Sequence, residues 1–216
     1  MSGSKTEMAY NFIKAKIISG SIPPLTCLPE EEFEKELHMS RTPIREALLR
    51  LEGENFLEVY PRKSIVVAPV TFDLLTEVYD MRRFVEPNIF KNACDRIPKS
   101  WLLKERDKFL NAPFSDDEME EFNRYHENLD ADFCNTVLQS ASNRFVMDSM
   151  RLTYEHIQRI CALTNRDPAT VASDAMEHVA IIDAMLKNDK EAVFSLVTQH
   201  VESNRKKMFM HFVNIT

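Results

Sequence analysis

Three arginines, Arg41, Arg45 and Arg50, stand within one ten-residue stretch, with Ser40 and Thr42 beside the first of them. Between Leu37 and Arg50 the only acid is Glu46. Arginine can bond two atoms of a guanine edge at once, and serine or threonine hydroxyls can hold phosphate oxygens. The whole chain carries a net charge of -7, and residues 1–70 hold 9 Lys/Arg against 10 Asp/Glu. Bulk charge therefore does not favour a polyanion, but phosphate attraction follows local charge, and this stretch is locally basic.

The surrounding pattern shows how such residues would be presented. Ser40 is a good N-cap, and Ile44, Ala47, Leu48 and Leu51 recur at helical spacing as one buried stripe. Arg41, Thr42, Arg45 and Glu46 fall outside that stripe, near the start of the helix. A preceding helix is expected from Pro29, with Glu30, Glu31 and Glu32 set against the positive end of its dipole and Phe33 and Leu37 facing inward. His38-Met39 makes a short turn between the two, and an earlier helix over about 4–19 has Met8, Phe12, Ala15 and Ile18 near one face. Two helices joined by a tight turn, the second exposing Arg and Thr at its start, form a helix-turn-helix pattern. Phe56–Tyr60, a basic turn at Pro61-Arg62-Lys63-Ser64, and Ile65–Ala68 then read as a hairpin wing.

After Pro69 the character changes. Residues about 72–95, 99–111, 116–140, 144–163, 168–187 and 190–213 all read as amphipathic helices. Pro98, Pro113, Ser142-Asn143, Pro168 and Asn188-Asp189 separate them, and Ser115–Glu118 has the form of a capping box. The expected fold is mostly α: a winged helix-turn-helix over 1–70, then an all-α six-helix bundle over 71–216. All three glycines lie at or before Gly53, which excludes a glycine-rich phosphate loop from the larger part of the chain. No segment has the length of a bilayer span or the apolar core of a signal peptide. Cys27, Cys94, Cys134 and Cys161 are scattered without paired spacing, as in a reduced, cytoplasmic protein with no membrane partner.

Leu28-Pro29-Glu30-Glu31 followed by Ser40-Arg41-Thr42-Pro43-Ile44-Arg45-Glu46-Ala47-Leu48-Leu49-Arg50-Leu51-Glu52 resembles the GntR family of regulators. The helical remainder resembles that family's FCD effector domain, in the FadR/VanR-like, six-helix form. The resemblance implies a homodimer on a palindromic double-stranded DNA operator, with the second helix in the major groove. It implies DNA contacts from Ser40, Arg41, Thr42, Pro43 and Arg45. Arg50, one turn further on, is either a further contact or a solvated charge, and Lys63 and Ser64 would touch phosphate from the wing. The chain departs from the family at glycine positions, having Leu25, His38, Asn55 and Ser64 where glycine is usual.

The resemblance also implies a divalent metal in the bundle, held by an Asp and a His one turn apart and by two further histidines. Asp130 with Cys134 takes the first pattern, cysteine replacing histidine, while His178 and His200 supply the rest. Asp130 and Cys134 share a helix face. His178 and His200 stand at similar distances on either side of the Asn188-Asp189 turn, so two antiparallel helices would bring them to one depth. Such a set suits tetrahedral zinc, with nickel or another transition metal as the other candidates. Three alternatives stay open: Cys134 is a core residue and the site is lost, leaving a constitutive repressor or an interaction module; His126 replaces it; or the set is a zinc hydrolase centre. The last lacks an H-E-x-x-H motif or an evident general base. Asp132, on the opposite side from Asp130, is expected to be solvated. Arg82 matches a family position that binds the carboxylate of a small-acid effector, with Arg83 turned to solvent.

Overall fold

The structure is a computed structural model that describes residues 4–60, 64–111, 119–164 and 167–215. The chain divides into two compact units at Thr71/Phe72, one residue past the boundary read from the sequence.

The first unit comprises α1 (Lys5–Ile18), α2 (Glu30–Leu37), α3 (Arg41–Gly53), β1 (Leu57–Tyr60) and β2 (Ser64–Val67). The strands pair antiparallel with Leu57 opposite Val67 and Tyr60 opposite Ser64. Residues 25–28 line the other edge of β2, where the Leu25 N–H donates to Val67 O at 2.9 Å and the Leu28 N–H to Ile65 O at 2.8 Å. The expected stripe Ile44, Ala47, Leu48 and Leu51 is fully buried, with Phe33 and Phe56 against it. Helix α1 faces the core differently from the expectation: Ala9, Ile13 and Ile17 are buried, whereas Met8 is 53% exposed and Ala15 lies at the surface. Both stripes are apolar, and the deciding contact is polar. The buried Lys14 ammonium donates to Glu54 Oε2 at 2.6 Å and to the Tyr10 hydroxyl at 2.6 Å, so the face carrying Tyr10 and Lys14 turns inward.

Leu25, His38 and Asn55 take the positions where the family uses glycine, and all three have positive φ, at 65°, 51° and 62°. The left-handed geometry has been kept without the residue that adopts it freely. Asparagine tolerates it, and His38 closes α2 with its N–H on Glu34 O. Leu25 has no such compensation and is 66% exposed, so its side chain gains little from burial. Leu25→Gly is expected to stabilise this unit by about 0.5–1 kcal/mol, relief of strain exceeding the entropy cost of glycine. A urea unfolding midpoint that fails to rise would contradict this.

The second unit contains α4 (Phe72–Ala93), α5 (Lys99–Leu110), α6 (Met119–Gln139), α7 (Arg144–Ala162), α8 (Pro168–Leu186) and α9 (Lys190–Ile215). Asn143 caps α7 by accepting from the Phe145 and Val146 N–H groups, and Asp167 caps α8 by accepting from Thr170 N with Pro168 at the first turn. The capping box at Ser115–Glu118 lies outside the described residues. Helix α4 packs on α9 and α7, α5 on α8, and α6 on α7. Phe133 of α6 is the hub, with Phe90 and Phe109 edge-on at 5.8 and 5.6 Å and Trp101 stacked at 5.8 Å. The ring of His178 meets the same cluster, 5.6 Å from Phe133 and 4.7 Å from Phe109.

Candidate nucleic-acid interface and ligand cavity

Helix α3 begins at Arg41 with Ser40 in the N-cap position, extended at φ -72° and ψ 165°. The Ser40 hydroxyl makes no cap hydrogen bond, and Ser40, Thr42 and Arg45 are all exposed. Pro43 departs from the expected set. It is buried beside Ile44, so the family's contact position packs the helix against the core here and does not reach outward. Arg50 departs as well. Its guanidinium lies 3.6 Å over the Tyr10 ring, with Nη1 donating to Glu7 Oε2 at 2.9 Å and Nε to Glu54 Oε1 at 3.3 Å. It therefore fastens α3 to α1 and is not held out toward a ligand. Arg41 is exposed but paired, its Nε 2.5 Å from Glu30 Oε2. Among the described residues, Arg45 is the arginine of this helix with no carboxylate hydrogen-bonded to it. Ser64 is exposed at the start of β2, and Lys63 lies outside the described residues.

In the second unit one cavity of about 70 Å³ gathers the expected sensory residues: Arg82, Asp130, Cys134, His178 and His200 all line it. At roughly 10–15 Å³ per water it holds about five waters, the bulk of a small organic acid. The depth argument for the histidines holds, their rings being 4.5 Å apart. His178 Nδ1 donates to the main-chain oxygen of Asp174 at 3.0 Å, and His200 Nδ1 donates to Glu177 Oε2 at 2.7 Å. Glu177 is held in turn by the Ser203 hydroxyl at 3.0 Å. Burial pushes the His178 imidazole down to about 4, so it is neutral at ordinary pH.

The histidine half of this site suits a metal, because ligating imidazoles typically spend Nδ1 on a carbonyl or carboxylate behind them. The other half does not. His200 Nε2 lies 2.9 Å from the Asn204 amide, and Asp130 Oδ1 approaches His178 at Nδ1, 3.5 Å away, on the nitrogen already bonded to Asp174. Burial, with Glu86 nearby, holds the Cys134 thiol well above its ordinary value, far from the thiolate a metal binds. Among the described residues no three His, Cys, Asp or Glu side chains converge on a point that could hold a metal ion. The expected tetrahedral set of Asp130, Cys134, His178 and His200 is thus brought to one cavity but not to one centre. His126 is no substitute, since it is buried against the Phe122 ring at 4.5 Å and does not line the cavity.

Arg82 is 5% exposed and is clamped by Glu86, one turn along α4, through Nε at 2.5 Å and Nη2 at 3.2 Å. That leaves the two hydrogens of Nη1 and one of Nη2 outside the clamp. Glu86 escaped sequence reasoning, although its i+4 spacing from Arg82 was a usable signal. Tyr79, Tyr154 and Asn204, which also line the cavity, carried no signal of that kind. Arg83 is part-exposed, 3.5 Å from Asp80 and 3.9 Å from Glu202, and Asp132 is solvated as expected.

Residues 5–67 match the model described as bacterial regulatory proteins, gntR family, and residues 77–203 match that of the FCD domain. The chain belongs to the gntR family, with an FCD domain. The uncharacterized HTH-type transcriptional regulator BphR of Paraburkholderia xenovorans is 22% identical over 93% of this chain and 84% of its own length. The HTH-type transcriptional repressor RspR of Escherichia coli is 21% identical over 91% of this chain and 85% of its own. Among solved structures, E. coli McbR/YncC superposes with a TM-score of 0.80 at 19% identity, covering 98% of this chain and all of that one, which shows the shared fold. These relatives are transcription regulators and not enzymes, which removes the hydrolase alternative. No described helix is long and apolar enough to cross a membrane.

Proposed function

We propose that this gntR-family protein is a ligand-responsive repressor that binds a palindromic operator as a homodimer and is released by a small carboxylate. The observation that carries the reading is the cavity, where a buried arginine and two histidines converge in a unit separate from the one that bears α3. A carboxylate there would take Nη1 of Arg82, replacing water in a mostly apolar pocket. Differential affinity of the acid for the two DNA-binding states would then shift the population toward release. The repressor sense is supported by the similarity to RspR, an HTH-type transcriptional repressor of Escherichia coli.

The Nδ1 bonding of His178 and His200 favours a second reading, in which the same cavity holds a divalent metal, zinc first and nickel next. Bound there, the metal would supply a Lewis-acid anchor for the carboxylate. Cys134 would have to lose its proton and Asn204 release His200 for all four expected ligands to serve.

A thermal-shift screen of small organic acids, with and without chelator, separates the two. A saturating acid at ~100 Kd is expected to add about 2.7 kcal/mol to stability. A shift that survives chelation supports direct carboxylate binding, and one that vanishes supports the metal. Absence of any shift, with no metal in the purified protein, would overturn both and leave a constitutive repressor.

A further inference from the structure

The first turn of α2 carries Glu30, Glu31 and Glu32, more acid than a helix dipole needs. One of the three is used on another helix. Glu30 accepts from Arg41 Nε at 2.5 Å across the turn between α2 and α3, in the charge-assisted geometry that arginine also offers to phosphate. The exposures of the pair are unequal: the Arg41 side chain is 69% exposed and that of Glu30 is 15%. The guanidinium therefore lies on the outer surface of α3, with the carboxylate tucked behind it. Glu31 and Glu34 add to the negative field at Arg41, and both line the same shallow groove. As a fold-stabilising contact such an exposed pair contributes little. Its position at the start of the helix that would enter the groove matters more.

We infer that Glu30 is an internal stand-in for a phosphate, which occupies Arg41 whenever DNA does not and so lowers the affinity for any duplex. Any duplex, whatever its sequence, must displace Glu30 before Arg41 can contact its backbone. Random DNA offers one phosphate in exchange for one carboxylate and gains little from Arg41. An operator that also satisfies Arg45 offsets the exchange with base contacts. The acid thus lowers affinity for every duplex by about the same factor, and only an operator has base contacts that make good the loss, in a chain that is acidic overall.

The inference rests on α3 being the recognition helix, and one experiment tests the two separately. The full-length parent, Glu30→Gln, Glu30→Asp, Arg41→Ala and Glu30→Gln/Arg41→Ala are titrated against a random-sequence duplex across a salt series, read by fluorescence anisotropy. Glu30→Gln is expected to bind about two- to fivefold more tightly than the parent, the range an exposed ion pair represents. Its slope of log affinity against log salt should steepen by about one. Glu30→Asp, which keeps the charge, should match the parent, and Glu30→Gln should have no effect once Arg41 is alanine. Glu30→Ala carries the same expectation as Glu30→Gln, so the outcome does not depend on the folding of one variant. Parental affinity and slope in both neutral variants, or equal tightening in the Arg41→Ala background, would overturn the role of Glu30. A parent with no affinity for duplex DNA would instead overturn the recognition-helix reading itself.

Discussion

Glu86→Ala is expected to destabilise the helical unit by about 3–5 kcal/mol, a large part of what holds a domain together. Arg82 is 5% exposed and Glu86 1%, and the two oxygens of Glu86 meet Nε and Nη2 of the guanidinium. Arginine cannot shed its proton to escape, so truncating Glu86 leaves a buried charge without its carboxylate partner. The cost is that of abandoning Arg82; the net worth of the pair is a different quantity. For that reason Arg82→Met/Glu86→Leu should be close to neutral in stability while abolishing any carboxylate-induced thermal shift. Urea denaturation measures both. A loss under about 1 kcal/mol for Glu86→Ala would mean that cavity water solvates Arg82 well enough to replace its partner, and would contradict the expectation.

The second large effect is expected on DNA. Arg45→Ala should weaken operator binding by about 1–3 kcal/mol, roughly five- to 150-fold, while leaving the unfolding midpoint unchanged. Arg45 is exposed on α3, and the other two arginines of that helix are engaged within the protein, Arg41 by Glu30 and Arg50 by Glu7, Glu54 and the Tyr10 ring. Base reading is therefore expected to fall chiefly to Arg45, with Ser40 and Thr42 beside it placed to hold phosphate. Binding to random DNA should fall much less, because a base contact is absent there. Equal losses on operator and random duplexes would reassign Arg45 to the backbone.

Local patterns in the sequence were read correctly wherever local physics decides the outcome. The stripe Ile44, Ala47, Leu48 and Leu51 is set by helical period alone, and it is buried. The helix breaks at Ser142-Asn143 and Pro168 rest on capping chemistry, and Asn143 and Asp167 both cap. Counting along two antiparallel helices from one turn was enough to bring His178 and His200 within ring contact. Errors arose where the deciding partner is remote in sequence. Arg50 looks like a surface arginine until Glu7 and Tyr10, about forty residues away, are seen to hold it. The inward face of α1 was chosen by Glu54 bonding Lys14, again across forty residues. Spacing put His178 and His200 at one depth and Asp130 and Cys134 on one helix face, but did not show that His200 Nε2 lies against Asn204 or that Asp130 approaches His178 at the nitrogen bonded to Asp174. At Leu25, His38 and Asn55, where the family usually has glycine, the left-handed geometry is present without it.

The central claim is that occupancy of the helical cavity controls the DNA affinity of α3. Its most direct test is a DNase footprint on the region upstream of the protein's own gene, repeated with the organic acid that raises the melting temperature most. The account predicts a two-fold symmetric protected segment that fades as the acid is added, and no fading in Arg82→Met/Glu86→Leu. Protection that is absent, or that stays the same when the cavity is filled, would contradict it.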